Sequence, residues 1–390
     1  MLSVADARDR ILNLAAPATP ESVHLTRGFG RVLVEPVIAR HDQPPFATAT
    51  MDGYAIAEMA AKPGDVFTVI GAARAGGPWS GTVGRGQAVR IFTGAVVPDG
   101  AVRVVIQEDT EVDGDSVRLT EALEGGDNIR AVGADFHHGD RIAAPRRLGP
   151  YDLALAAAMN AAFVTVARRP SVAIIATGDE LVTPGETPGS GQIIASNSYG
   201  LAALIERAGG RARILPIARD TQDSLTAALD LAADADLIVT IGGASVGDHD
   251  LVQAVAGELG LRLDFWKIAM RPGKPLIAGR LKDIPLIGLP GNPVSALVCA
   301  VLFIEPLILK MQGLDPGELT YRAHVLAAGV PSNGPRTHFM RARLTEAGLV
   351  PARSQDSALL SVMAGSTVLI VREPHAPAAN PGDPAQYLPL

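Results

Sequence analysis

The stretch Asp236-Leu-Ile-Val-Thr-Ile-Gly-Gly-Ala-Ser-Val-Gly-Asp-His-Asp250 decides the fold of this chain. It begins with a continuous apolar run, which is typical of a strand that is buried on both faces in a parallel sheet. The run ends at two successive glycines, Gly242 and Gly243, which let the backbone approach a ligand closely. Because the backbone N–H groups of such a turn can bind an anion, the stretch predicts an α/β enzyme for a phosphorylated, anionic ligand.

Strand-like and helix-like runs alternate around this stretch. Val172 to Ala176 and Ile214 to Ile217 have the pattern of strands, whereas Asn197 to Ala208 and Ser224 to Ala233 have the pattern of helices. Strands that alternate with helices of about ten residues predict a doubly wound parallel sheet. Residues 170–315 are therefore predicted to form an α/β domain.

The rest of the chain has short β-like runs that are interrupted by Gly and Pro, which gives a predicted fold class of α/β plus β in several domains. A helical segment flanks the first β-rich region on each side, so this region is predicted to be inserted into another domain. The Pro-rich tail, Pro374 to Pro389, is expected to be extended and mobile. The predicted domains outside the α/β domain are an N-terminal helical and linker domain (1–40 and 140–169), an inserted β-rich domain (41–139) and a C-terminal β-barrel-like domain (316–390).

The composition indicates a globular protein, since 47% of the residues are hydrophobic and 19% are charged. A net charge of −7 without any Lys/Arg-rich run argues against a nucleic-acid binder. The single cysteine, Cys299, excludes an internal disulfide framework and fits a reducing compartment. The most apolar run, Val294 to Ile304, is expected to stop at Glu305-Pro306 and to be too short to span a bilayer. These features predict a soluble, cytoplasmic protein that binds neither a membrane nor nucleic acid.

Four segments follow predicted strands and should therefore meet at one edge of the sheet, where open α/β folds bind ligands. They are Thr177 to Glu180, Gly242 to Asp250, Lys267 to Pro275 and Leu289 to Ser295. Any one of them alone can be an ordinary tight turn or a solvated face, but four at one edge predict a binding site.

The side chains of these segments suit a phosphorylated ligand. Lys267, Arg271 and Lys274 supply cations, and Pro293 after Asn292 predicts a helix N-terminus that faces the same edge. Hard oxygen donors suited to Mg²⁺ come from a set of three carboxylates, Glu180, Asp236 and Asp250. Asp236, however, stands at the start of its strand, opposite the binding edge, and can instead cap a helix or solvate a loop.

The N-terminal half adds Asp52 in Met51-Asp-Gly-Tyr-Ala55 and Thr93 in a Thr-Gly turn after a strand-like run. On spacing alone, Asp52 is a turn residue more often than a catalytic one. Arg130 and Asp135 can likewise belong to a surface loop.

Six motifs in this order resemble the MoeA family, the molybdopterin molybdenumtransferases, a family that also forms the E domain of gephyrin. They are Met-Asp-Gly-Tyr-Ala, Arg-Ile-Phe-Thr-Gly-Ala, Thr-Gly-Asp-Glu-Leu, Gly-Gly-Ala-Ser-Val-Gly-Asp-His-Asp, Arg-Pro-Gly-Lys-Pro and Leu-Pro-Gly-Asn-Pro-Val-Ser. The resemblance covers nearly the whole chain. It implies insertion of molybdate into adenylylated molybdopterin with release of AMP and with Mg²⁺ as cofactor. It also implies a homodimer whose site lies between the α/β domain of one subunit and the β-rich domain of the other.

The resemblance assigns roles to individual residues. The implied catalytic residues are Asp52, Thr93, Asp135 and Glu180. The implied substrate-binding residues are Arg130, Asp236, Gly242, Gly243, Ser245, Gly247, Lys267, Arg271, Lys274, Pro290, Asn292 and Ser295. The implied Mg²⁺ ligands are Glu180, Asp236 and Asp250.

Two other functions stay open at this point. One is molybdopterin adenylyltransferase, whose single domain resembles only the α/β region of this chain. The other is a non-enzymatic scaffold on the pattern of gephyrin. Possible protein partners are the adenylyltransferase and proteins that mature molybdoenzymes.

Overall fold

The structure is a computed structural model that describes residues 1–17, 19–123, 125–243 and 251–390, with the side chains of 251–254 left out. The chain begins with a helix that Ser3 caps, because the Ser3 hydroxyl accepts a hydrogen bond from the Asp6 N–H at 3.1 Å. The elements of this first segment are α1 (Val4–Leu12), β1 (Pro20–His24), β2 (Val32–Leu33) and β3 (Val37–Ile38).

The next segment is a β-rich unit. Its strands are β4 (Thr48–Ala49), β5 (Gly53–Ile56), β6 (Val66–Ala73), β7 (Gln87–Ile91), β8 (Arg103–Ile106), β9 (Thr110–Asp113), β10 (Ser116–Leu119) and β11 (Ile129–Arg130). Six of them form one sheet in the order β8-β5-β7-β6-β10-β9, and a hydrophobic cluster covers each face. Gly53 is required at the start of β5, since a Cβ there would lie 1.8 Å from the carbonyl oxygen of Val105.

After this unit the chain returns to the first segment. The returning elements are β12 (Arg141–Ile142), β13 (Arg146–Arg147), α2 (Pro150–Ala158) and β14 (Phe163–Ala167). β12 pairs with β3, and a four-stranded sheet has the order β1-β14-β2-β13. The β3–β12 pair therefore lies where the chain passes from the first segment into the β-rich unit and returns from it.

An α/β unit follows. Its elements are β15 (Ser171–Ala176), β16 (Leu181–Val182), β17 (Ile193–Ile194), α3 (Asn197–Arg207), β18 (Arg211–Ile214), α4 (Gln222–Leu231), β19 (Leu237–Ile241), α5 (Leu251–Glu258), β20 (Leu261–Lys267), β21 (Met270–Arg271), β22 (Pro275–Leu281), β23 (Ile284–Leu289), α6 (Pro293–Cys299) and α7 (Glu305–Met311). The sheet has the order β18-β15-β19-β23-β22-β20. Its first four strands are parallel, but β22 is antiparallel to β23, so the expected all-parallel sheet is wrong at this edge. Only Lys282 and Asp283 join β22 to β23, which is long enough for a hairpin but not for a crossover.

Two hydrophobic clusters cover the faces of the α/β sheet. One includes side chains of α1, α3, α6 and α7, and the other includes side chains of α4. α6 and α7 are one helix from Pro293 to Met311, joined by a π-helical turn at Ala300–Ile304. The expected stop at Glu305-Pro306 is therefore wrong, because Pro306 lies in the first turn after the π segment, where its missing N–H is tolerated. This helix is long and apolar enough to cross a membrane, but it is 72% buried inside the fold, as a core helix is.

The C-terminal elements are β24 (Arg322–Val325), β25 (Thr337–Thr345), β26 (Gly348–Pro351), α8 (Leu360–Ala364), β27 (Val368–Arg372) and β28 (Pro384–Pro389). β28 pairs with both β24 and β27, so the expectation of a mobile tail is wrong for its last residues. The short strand β21 of the α/β unit pairs with β25, with Arg271 opposite His338. This pairing joins the two units next to the carboxyl edge of the α/β sheet.

Candidate functional site

Three of the predicted loops meet at the carboxyl ends of neighbouring strands. The N–H of Thr177 donates to the carbonyl of Ile241 at 3.0 Å, and the N–H of Gly242 donates to the carbonyl of Leu289 at 3.1 Å. Gly242 has a φ of +93°, and a Cβ there would lie 2.8 Å from the carbonyl oxygen of Thr177. The glycine is therefore required for the close approach of these two loops.

Glu180 lies in the loop after β15, and its side chain folds over Gly178. A Cβ on Gly178 would lie 2.3 Å from Glu180 Oε2. The guanidinium of Arg219 fixes the loop by donating to the carbonyls of Gly178, Asp179 and Leu181 at 3.4, 3.1 and 3.0 Å. The Glu180 carboxylate is thus an exposed acid on a fixed backbone.

The third loop leads into α6. Buried Pro290 precedes it, and Asn197 donates through Nδ2 to the carbonyl of Gly291 at 2.7 Å. Asn292 is the N-cap residue, and its Nδ2 donates to Ser357 Oγ at 3.0 Å. Because Ser357 comes from the C-terminal unit, this unit borders the predicted site.

The three predicted cations lie around the same edge. Lys267 is at the end of β20, with its Nζ 3.5 Å from the centre of the Trp266 ring. Arg271 and Lys274 are exposed, and Ser295 is buried in the first turn of α6. β20 runs parallel to β23, since both are antiparallel to β22, and this places Lys267 at the carboxyl edge.

The strongest electrostatic feature was not predicted from the sequence. Arg341 in β25 is fully buried, and its Nε and Nη1 have no hydrogen-bond partner among the described residues. Its Nη2 donates to the carbonyl of Asp356 at 3.3 Å. Asp356 precedes Ser357, the residue whose hydroxyl accepts the hydrogen bond from Asn292. Burial and then the charge of Arg271 lower the pKa of Arg341 to about 10, which still leaves it protonated at neutral pH.

His338 is a neighbour of the basic cluster that Arg341 and Arg271 form. It is 7% exposed, and its Nε2 has no hydrogen-bond partner in the described part of the chain. Burial lowers its pKa to about 4, and the charges of four arginines act in the same direction, namely Arg271, Arg341, Arg336 and Arg372. Within the described residues, none of the five forms a salt bridge. At neutral pH His338 is uncharged, so the positive charge of this cluster comes from its arginines, and the buried guanidinium of Arg341 favours an anion as ligand.

The β-rich unit holds a separate constellation. Asp52 precedes β5 and Thr93 follows β7, its antiparallel neighbour. Asp52 Oδ1 accepts hydrogen bonds from the N–H of Thr93 at 2.7 Å and from its hydroxyl at 2.8 Å. These two bonds, and to a smaller extent the charge of Arg90, lower the pKa of Asp52. The same two hydrogen bonds also fix the turn that follows β7, as a structural turn residue would.

The other predicted residues of this unit lie nearby. Arg130 is exposed in β11, which pairs with β4. The carbonyl of Ala49 in β4 accepts the N–H of Gly94, so β11 and the turn after Thr93 both lie next to β4. Asp135 is exposed farther along, where its N–H donates to the carbonyl of Gln43.

Asp236 does not join the edge where Glu180 lies. Its carboxylate accepts hydrogen bonds from Arg168 and from the N–H of Ser171, both at 2.7 Å, at the amino ends of β15 and β19. Glu180 follows the carboxyl end of β15, the length of the sheet away. The grouping of Asp236 with Glu180 as ligands of one Mg²⁺ ion is therefore wrong. Ser245, Gly247 and Asp250 lie outside the described residues.

The described residues contain no group of three or more His, Cys, Asp or Glu side chains that could hold a metal ion. They therefore do not by themselves fit a Mg²⁺ site.

Three family models together match most of the chain. The MoeA N-terminal region (domains I and II) matches residues 2–160, a probable molybdopterin-binding domain matches residues 173–310, and the MoeA C-terminal region (domain IV) matches residues 323–390.

Curated relatives and solved structures agree with these matches. The chain is 36% identical to the molybdopterin molybdenumtransferase of Haemophilus influenzae, over 80% of this chain and 78% of the relative. It is 37% identical to molybdopterin molybdenumtransferase 2 of Mycobacterium tuberculosis, over 90% of each. A crystal structure of the molybdopterin biosynthesis MoeA protein from Pyrococcus horikoshii is 30% identical and superposes with a TM-score of 0.87, covering 100% of this chain and 99% of that one. The predicted fold class, α/β plus β in several domains, is thereby confirmed.

Proposed function

The chain belongs to the MoeA family, and on this premise we propose that it is a molybdopterin molybdenumtransferase. The reaction inserts molybdate into adenylylated molybdopterin and releases AMP. The observation that carries the proposal is the basic cluster of Arg271 and Arg341, in which Nε and Nη1 of Arg341 are buried without a partner among the described residues, near the N-terminus of α6.

This cluster suits a tetrahedral oxyanion. An arginine fork presents several donors in fixed directions. The N-terminus of α6 adds a favourable dipole for an anion, although Pro293 has no N–H and the N–H of Val294 is bonded to the carbonyl of Ser357. The guanidinium of Arg341 is already desolvated, so it loses little hydration when the anion binds. We therefore assign molybdate to the space between Arg341, Arg271 and Asn292, with Lys274 at its rim.

The adenylylated pterin is assigned to the three loops at the carboxyl edge of the sheet. Gly243 follows the packed Gly242 and has no side chain that could block a phosphate group, and Lys267 supplies a cation. Asp52 is ionised and keeps Oδ2 free of any partner among the described residues, which suits it to accept or orient a proton of the incoming oxyanion. Glu180 is an exposed acid at the pterin edge.

Mg²⁺ is retained as a proposed cofactor that would neutralise phosphate charge when bound. The acids among the described residues do not form a metal site by themselves. Glu180 is the one proposed ligand that the described residues contain at this edge.

The proposed site is completed by a second subunit. Among the described residues, no strand pairing and no salt bridge links residues 41–139 to residues 170–390. Asp52 and Arg341 thus belong to two groups of residues that are not linked in this way within one chain. This supports a homodimer in which each active site combines Asp52 of one subunit with Arg341 of the other. We also propose a cytoplasmic location, with the adenylyltransferase as a possible partner.

The experiment measures AMP release from adenylylated molybdopterin with and without molybdate. Wild-type protein should release AMP only with molybdate, and Arg341→Gln should raise the KM for molybdate about 100-fold, since a charged hydrogen-bond partner is lost. Arg343→Gln, on the same strand but exposed, is the matched control and should behave as wild type. Fast adenylylation of molybdopterin by Mg²⁺-ATP without molybdate would instead identify an adenylyltransferase. No turnover, together with capture of partners unrelated to molybdoenzymes, would identify a scaffold.

A further inference from the structure

The guanidinium of Arg90 contacts two aromatic rings beside the Asp52–Thr93 pair. Arg90 lies in β7 directly opposite Tyr54 of β5, and Phe92 follows two residues later, just after the strand ends. Its guanidinium carbon is 5.0 Å from the centre of the Tyr54 ring and 4.9 Å from that of Phe92. Contacts of this kind attract the planar guanidinium to both rings and restrict its orientation.

The same guanidinium makes two directed hydrogen bonds next to Asp52. Its Nη1 donates to the carbonyl of Gly53 at 3.0 Å, and its Nη2 donates to Gln107 Oε1 at 2.5 Å. The N–H of Gln107 in turn donates to the carbonyl of Asp52 at 3.0 Å. Arg90, Gln107 and the backbone of Asp52–Gly53 therefore form a closed ring of contacts, in which the peptide groups on both sides of Gly53 are fixed through the carbonyls of Asp52 and Gly53.

We propose that Arg90 is the positioning residue of the Asp52–Thr93 pair. It holds the main chain of Asp52 so that Oδ1 keeps both Thr93 hydrogen bonds and Oδ2 stays available to the substrate. The inference rests on the proposed function, in which Asp52 handles a proton of the oxyanion. The fork geometry matters as well as the charge, since one guanidinium nitrogen binds the Asp52–Gly53 strand and the other binds Gln107.

A role in folding alone would predict a different outcome from a positioning role. Arg90→Gln removes the charge and the fork, whereas Arg90→Lys keeps the charge and loses the fork. If Arg90 positions Asp52, kcat should fall roughly 100-fold in Arg90→Gln and roughly tenfold in Arg90→Lys, with KM changed less than about threefold. Exposed Arg85, in the loop before β7, provides the matched control, and Arg85→Gln should keep the wild-type kcat. Melting temperatures of all variants should agree within about 5 °C.

The protonation of Asp52 gives a readout that does not depend on turnover. The Thr93 hydrogen bonds lower the pKa of Asp52 most, and the positive charge of Arg90 lowers it further. In Arg90→Gln this pKa should rise, so the Asp52 carboxyl resonance of ¹³C-labelled protein should titrate at higher pH. In a plot of kcat against pH, the fall in kcat on the acid side should also shift to higher pH. Asp52→Asn identifies the resonance.

Each outcome separates this inference from the proposed function. An unchanged Asp52 titration and a kcat within twofold of wild type in Arg90→Gln would overturn the positioning role. The positioning role would also be overturned if kcat fell in Arg90→Gln only together with the melting temperature and if Arg90→Lys had the full wild-type kcat. Full activity in Asp52→Asn would overturn the role of Asp52 itself, whatever the result at Arg90.

Discussion

Gly242→Ala should displace the loop of Thr177 and weaken the α/β unit, and the structure gives the size of the effect. A residue with a Cβ costs about 1–2 kcal/mol more than glycine at the positive φ of Gly242. The new Cβ would also lie 2.8 Å from the carbonyl oxygen and 2.9 Å from Oγ1 of Thr177. The Thr177 carbonyl shares its peptide group with the N–H of Gly178, which is bonded to the carbonyl of Ala218 at 3.1 Å. This peptide is therefore held in place, and overpacking of this kind costs a further 1–3 kcal/mol or so.

The total loss is therefore about 2–5 kcal/mol, and it should lower the melting temperature of the unit by roughly 5–15 °C in calorimetry. Gly257→Ala is the matched control, because that glycine is exposed in helix α5 and an added Cβ there would have nothing within 4 Å. This control should raise stability by up to about 1 kcal/mol. AMP release should fall in Gly242→Ala and stay constant in Gly257→Ala. Equal melting temperatures and activities for the two variants would refute the argument from close approach.

Three further predictions concern residues away from that loop. Asp236→Asn should lower the free energy of unfolding by about 1 kcal/mol, because it weakens the contact with Arg168, but it should leave Mg²⁺-dependent turnover unchanged. A higher Mg²⁺ concentration required for turnover would instead show that Asp236 is a metal ligand. His338 has a pKa of about 4 against about 6.5 in an unfolded chain, so the unfolded state binds more protons between these values. This difference in pKa contributes about 3 kcal/mol to the free energy of unfolding above pH ~6.5, and the contribution is lost as the pH falls toward 4. The urea midpoint of the wild type should therefore drop between pH 7 and pH 4.5, and the drop should be smaller in His338→Gln. Burial raises the pKa of Cys299, so its thiol should react with a disulfide reagent only in denaturant, and rapid labelling of the native protein would contradict its burial.

The sequence was informative where a feature is local. The apolar run before Gly242 and the Thr-Gly turn at Thr177 predicted strands and loops that the structure brings together at one edge. Parallel strands place their carboxyl ends side by side, so strand patterns alone were sufficient for this step. The direction of the strands also shows why Asp236 failed as a partner of Glu180, since a residue before a strand and a residue after its neighbour lie at opposite ends.

The basic cluster could not be predicted in the same way. Arg341 and His338 are in a strand with no distinctive motif. This strand pairs with β21 at His338 and with β27 at Arg341, and neither pairing is visible in the local sequence. An arginine in a β-like run is usually an exposed residue, and nothing local identifies the one that is fully buried. The signal that could have identified Arg341 is the apolar neighbour Phe339 on the same face, which packs into the core of the α/β unit.

The placement of this cluster in an acidic chain has a consequence for binding. A net charge of −7 repels an anionic substrate at long range, so attraction must come from a local field. Buried cations such as Arg341 are screened little by salt, unlike exposed Lys274. An anion that binds there also neutralises charges held close together at the β21–β25 pairing. Binding should therefore stabilise the contact between the α/β and C-terminal units by the free energy of ligation, and a rise in melting temperature with molybdate should be lost in Arg341→Gln.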